Sequence, residues 1–250
     1  MARVGFVAAA ITVAVTLVSG ALSDAAPEER ITDPHRALTA NERALLKPLF
    51  RDSIDYDRIQ VIRGKFLFQP DRVYMTPRGN IYAPGDLWSE DFASASTSPY
   101  RRAVFVHEIT HVWQFENGMD LVAQGMAEFA KTGGAYEKAY PYTLDKSRDL
   151  VEYGMEQQAS IVEDYFLIAA QQPPQRLENR GLGTALRSEL YAAVLREFLG
   201  NGRYARNLSP ADVAKRHAQL AESAKGKPTC DVGEQKEKHF CAWRFEAPKK

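Results

Sequence analysis

The sequence predicts an α+β fold in which a small sheet precedes a buried, motif-bearing helix and a mostly helical C-terminal half. Three observations carry this expectation. Between residues 58 and 82, short runs rich in β-branched and aromatic residues are separated by Pro and Gly breaks, as in short strands joined by turns. A mostly apolar stretch without Gly or Pro then runs between Ser98 and Pro99 at one end and Asn117 and Gly118 at the other. Beyond Gly154 the chain is dominated by helix-favouring residues, interrupted at Pro173 and Pro174.

Taken in order, the chain begins with Arg3 and an apolar run over residues 4–22. Small residues follow that allow cleavage after Ala21 or Ala25, the pattern of a signal peptide. An uncleaved membrane anchor is the alternative, because the run approaches bilayer thickness. Residues 1–25 are thus read as the signal, 26–225 as one domain and 226–250 as a polar tail, with the protein periplasmic or secreted. Cys230 and Cys241 agree with export, since in an oxidising compartment they would close a short disulfide loop behind the polar segment 225–238. No Cys-x-x-Cys spacing exists. Removing residues 1–25 takes one Arg and one Asp, leaving 31 cationic and 31 anionic side chains. Balanced charge without a basic patch excludes nucleic acid as an expected partner, and no membrane span is expected after signal cleavage.

Thr39 and Glu42 form a capping-box pattern that predicts a helix over 39–50. Strands are expected at 58–62, 65–68, 72–75 and 80–82. The helix between Ser98 and Asn117 has a serine N-cap, a proline at its first position and apolar residues on most sides, which suggests burial. Further helices are expected from Gly154 to Pro173, over 186–199 and over 210–224.

The buried helix contains His107, Glu108, Ile109, Thr110 and His111. Residues four apart on a helix share a face, so both imidazoles reach one tetrahedral metal while the backbone holds their separation. Two histidines and a glutamate in an apolar helix need partners, because each unpartnered polar group costs several kcal/mol on desolvation. Zinc would supply the partner. It would also lower the pKa of a bound water from about 15.7 towards about 7, so that Glu108 acts as general base. The three other histidines, His35, His217 and His239, are scattered and read as surface or local hydrogen-bonding residues.

A catalytic zinc needs a third protein ligand and an open fourth position. A metzincin would continue with a glycine and a third histidine, but Gln114 and Asn117 stand in those places. A glutamate from the later helix is the alternative. Glu156, Ala159, Ser160 and Glu163 share one face there, with Glu156 preferred on the metal over Glu163, and Glu163 or Asp164 orienting a histidine from behind. Tyr153, Tyr165 and His217 are candidate oxyanion donors.

This combination resembles the gluzincin, thermolysin-like type of HExxH zinc metallopeptidase, and more narrowly small bacterial zincin-like proteins often described as Vgr-related. The resembling segments are 38–50, 75–82, 105–114 and 140–144 leading to 156–159, within roughly residues 38–170. The resemblance implies a zincin-like α+β fold, Zn2+ as cofactor, and Glu156 as the glutamate of the second helix. The sequence departs at Ser160, where thermolysin-like enzymes carry an acid one turn after that glutamate. In zincins an edge strand binds an extended peptide by β-augmentation, and Asn80, Ile81 and Tyr82 are the candidates for it, although so short a segment reads first as an ordinary structural strand. The function expected is an exported zinc-dependent peptidase acting on a peptide or protein. The alternative is a non-catalytic, zincin-like metal-binding or structural protein of the cell envelope or a secretion system.

Overall fold

The computed structural model describes residues 32–172 and 184–225, apart from 68 and 207. The signal segment, Pro173 and Pro174, His239, and the Cys230 and Cys241 loop all lie outside the described residues. Within them the protein is a mixed α+β structure with one three-stranded sheet and mostly helical content. No helix among the described residues is long and apolar enough to cross a membrane.

The sheet is small because its strands are short: β1 (His35–Ala37), β2 (Gln60–Ile62) and β3 (Ile81–Tyr82), in the order β1-β2-β3. β1 runs antiparallel to β2, with Arg36 opposite Val61, and β2 runs parallel to β3, with Val61 opposite Ile81. Among the described residues, 65–67 and 72–74 form no strand, in contrast to the strands expected at 65–68 and 72–75. Leu67 and Arg72 adopt φ of 43° and 62°, which no strand accommodates, and the chain turns instead. Met75 alone retains an antiparallel bridge, to Tyr82. Ile81 and Tyr82 form an ordinary structural strand, and the bridge corrects the peptide-binding edge considered for 80–82. Tyr82 exchanges hydrogen bonds of 2.8 and 3.3 Å with Met75, so the chain itself covers the outer side of β3 there.

Helix α1 (Ala40–Phe50) starts where the capping box places it. Thr39 Oγ1 accepts from the Glu42 amide at 3.1 Å, and Glu42 accepts from the Thr39 amide at 2.9 Å. Glu42 is fully buried and does more. Its carboxylate takes both arms of the Arg36 guanidinium at 2.7 and 2.8 Å and the Phe92 amide at 2.8 Å, which joins β1, α1 and the loop before the next helix.

Helix α2 (Pro99–Glu116) has Ser98 as N-cap and Asn117 as C-cap. It is buried on nearly all sides between 103 and 114, as a helix without an apolar stripe must be. One side holds Phe105, stacked on Phe92 at 4.8 Å. Another carries Trp113, whose indole N–H donates to the Gly202 carbonyl at 2.6 Å and whose ring meets Phe198 edge-on. Glycine is required at 202, because a Cβ there would sit 2.6 Å from that of Ser53.

Helix α3 (Leu121–Lys131), capped by Asp120, has no counterpart among the expected elements. Helix α4 (Met155–Ala169) begins directly after Gly154 and is the chief packing partner of α2. Its first free amide, Met155 N–H, is satisfied from outside by Glu128 of α3 at 2.7 Å. The segment expected as one helix over 186–199 is divided at Leu195 into α5 (Thr184–Val194) and α6 (Arg196–Gly200), and α7 (Pro210–Lys225) follows.

Candidate metal centre

The face of α2 turned towards α4 carries His107 and His111, and the facing first turn of α4 carries Glu156. All three side chains are buried. Glu156 Oε2 lies 3.1 Å from His107 Nε2 and 3.3 Å from His111 Nε2. Three ligand atoms arranged tetrahedrally at zinc bond lengths stand about 3.3–3.4 Å apart, so these separations suit one metal ion. Among the described residues, His107, His111 and Glu156 are the group whose ligand atoms gather within 4.8 Å and could hold a metal ion.

Each of the three is held from behind. His107 Nδ1 lies 3.1 Å from Glu163 Oε2, and because a carboxylate only accepts, Nδ1 carries a proton; a metal held at Nε2 would replace the proton that the Glu156 carboxylate otherwise draws there. His111 Nδ1 lies 2.7 Å from Gln114 Oε1. Glu156 Oε1 accepts from the Tyr136 hydroxyl at 2.7 Å, which leaves Oε2 for the histidines. The Tyr140 ring stacks on His107, 5.9 Å between centroids.

The electrostatics follow from this enclosure. Burial alone would depress both histidine pKa values, but Glu156, and for His107 also Glu163, raise them above the ordinary value. Burial would raise Glu156, yet the two imidazoles hold it well below the usual carboxylate range. The shared carboxylate draws protons onto the imidazoles, whereas a divalent cation satisfies the same donor set with both histidines neutral. Glu108 behaves differently. Burial pushes its carboxyl up and outweighs the opposing pull of His111, His107 and the Thr76 hydroxyl, which donates to Glu108 Oε2 at 2.7 Å.

The fold thus brings together His107, Glu108, His111 and Glu156, with Glu163 behind His107. Ser160, one turn after Glu156, carries no acid, and the carboxylate that bonds His107 comes two turns on. Asp164 bonds elsewhere, accepting from Tyr142 at 2.5 Å. The three candidate oxyanion donors are engaged away from the metal cage. Tyr153 accepts from the Asp145 amide, Tyr165 packs in the core beside Tyr191, and His217 pairs with Glu152. His35 is exposed on β1 and bonds the Asp33 carbonyl. Sequence reading missed Thr76, Gln114, Tyr136 and Tyr140. Gln114 had a signal, since it stands three residues after His111 and shares its face; Thr76 and Tyr140 come from irregular segments and Tyr136 from a single 3-10 turn, where no spacing rule applies.

No protein-family model matches the chain. Its sequence is similar to the type VI secretion system spike protein VgrG2b of Pseudomonas aeruginosa, with 32% identity over 169 residues. The match covers 65% of this chain but only 15% of that protein. Among solved structures, the effector domain of Pseudomonas aeruginosa VgrG2b superposes with a TM-score of 0.52 and 31% identity, over 66% of this chain and 88% of that domain. These matches overturn the thermolysin-like gluzincin assignment. A five-residue motif and a downstream glutamate reflect what a metal cage requires and do not select a lineage, whereas identity spread over 169 residues does. The chain belongs to the family of the VgrG2b effector domain.

Proposed function

We propose that this protein is an exported, secretion-system-related effector with a zincin-like fold, and that its metal centre hydrolyses peptide bonds. The observation that carries the reading is the convergence of His107, His111 and Glu156, whose ligand atoms lie within 4.8 Å of one another with Glu156 Oε2 3.1 and 3.3 Å from the two Nε2 atoms, beside a buried carboxylate, Glu108, on the helix of the histidines. His107, His111 and Glu156 would hold zinc, which supplies Lewis acidity towards water and a peptide carbonyl. Glu108 takes the proton from the attacking water and returns it to the leaving amine, and its raised pKa suits both transfers. Thr76 holds that carboxylate in place, and the Tyr136 bond to Oε1 keeps Glu156 presenting one oxygen. The export reading takes residues 1–25 as signal or anchor, with Cys230 and Cys241 paired in the tail.

The second reading is a metal-binding protein of a secretion system without turnover. Kinship with a spike protein supports its secretion-system part, while the peptidase reading rests on site chemistry. Elemental analysis of protein purified without chelator, coupled to a peptide-library digest, separates them. Catalysis predicts close to one zinc per chain and cleavage lost by two or more orders of magnitude in Glu108→Gln with the metal retained. Metal-loaded wild type that cleaves nothing selects the second reading, and metal-free wild type rejects both.

A further inference from the structure

We propose that Gln114 is a positioning residue that fixes the tautomer of His111 and so determines which of its nitrogens can meet a metal. This inference rests on reading His107, His111 and Glu156 as ligands. A neutral imidazole carries its proton on either nitrogen, and only the other one can ligate. For His107 the carboxylate of Glu163 makes the choice. His111 faces an amide instead, and an amide can present either an acceptor or a donor, so something must orient it.

Two backbone carbonyls do so. Gln158 Nε2 donates to the Tyr153 carbonyl at 2.7 Å, and a carbonyl can only accept, so the Gln158 amide cannot be reversed. Its Oε1 therefore faces Gln114, at 3.0 Å, and requires a donor there. The Met155 carbonyl, 2.9 Å from Gln114 Nε2, makes the same demand. With both Nε2 hydrogens committed, Gln114 Oε1 is the atom left to face His111 Nδ1 at 2.7 Å, so Nδ1 must carry the proton. Gln114 is 1% exposed and Gln158 2%, so water does not compete for these bonds. The chain of constraints starts in the backbone at residues 153 and 155, beside Glu156 itself. The segment that delivers the carboxylate ligand thus also sets the protonation pattern of a histidine on the facing helix.

The test compares metal affinity, by competition with a chromophoric zinc chelator, and melting temperature across wild type, Gln114→Met and Gln114→Glu. Gln114→Met keeps length but loses the acceptor, and zinc affinity should fall about 10–100-fold, as for other groups that orient a ligating histidine. Gln114→Glu keeps an acceptor for Nδ1–H but loses both donors to α4. Its melting temperature should fall while zinc affinity stays within about threefold of wild type or tightens. Gln114→Met loses the same two donors, so Gln114→Glu discriminates: a glutamine that merely ties α2 to α4 predicts that affinity falls with melting temperature in both variants. Either that pattern or undiminished affinity in Gln114→Met overturns the proposal. Should Gln114→Met fail to fold, 15N-histidine spectra of zinc-loaded wild type decide alone: His111 ligating through Nε2 with a protonated Nδ1 supports the inference, and ligation through Nδ1 overturns it. Wild type that binds no zinc sinks the underlying metal reading as well, which distinguishes that failure from the others.

Discussion

Thr76 Oγ1 donates a 2.7 Å hydrogen bond to Glu108 Oε2, and both residues are buried. The loop residue after the Met75 bridge thus touches the proposed general base on α2, although 32 positions separate them in the chain. Thr76→Val keeps the shape and removes the donor. Peptide hydrolysis should fall about tenfold, the share a lost charge-assisted bond of about 1.5 kcal/mol carries, while zinc content is unchanged and Thr76→Ser retains most activity. Measured kcat beside metal stoichiometry checks this, and equal kcat in wild type and Thr76→Val would remove Thr76 from the machinery.

Glu156 and Glu163 should rank in a definite order. Glu156 Oε2 stands near the Nε2 atoms of both proposed ligand histidines, whereas Glu163 touches only the rear nitrogen of His107. Glu163→Ala should weaken zinc about 10–100-fold, and Glu156→Ala substantially more. Competition titration gives the order, and a reversal would make Glu163 the ligand.

Removing the metal should lower the melting temperature. Zinc present at about 1,000 times its Kd stabilises the folded state by about 4 kcal/mol, which for a domain of this size corresponds to roughly 10 °C. Differential scanning calorimetry with and without a chelator reads the shift, and His107→Ala should show almost none.

Glu42→Ala tests the joint between sheet and helix. Glu42 is 0% exposed and is bonded to Arg36 and to the Thr39 and Phe92 amides, so truncation strands a part-buried guanidinium and two amides. The expected loss is about 3–5 kcal/mol in urea unfolding, with zinc binding retained in the folded fraction. A loss below about 1 kcal/mol would show that Arg36 relaxes to solvent freely.

Local chemistry was legible wherever a single segment decides the outcome. Thr39 and Glu42 mark the start of α1, and Ser98 with Pro99 marks the start of α2, because a capping bond closes within three or four residues. His107 and His111 share a face by helix geometry alone. The strands were less legible. Leu67 and Arg72 stand in runs with strand-like composition, yet their left-handed φ values bend the chain into turns. α3 has an Asp120 cap but was not among the expected helices.

By itself, then, the sequence determined the pair of imidazoles, the carboxylate beside them and the helix that carries all three, since that information is contained within one turn of backbone. Only the tertiary structure decided that Glu156 rather than Glu163 faces both Nε2 atoms, that Thr76 meets Glu108, that Tyr136 bonds Glu156, and that Gln114 is oriented from residues 153 and 155. Each of those contacts depends on the depth and rotation at which α4 and the neighbouring loops pack against α2. That register is chosen by burial summed over the whole core and leaves no local spacing to read.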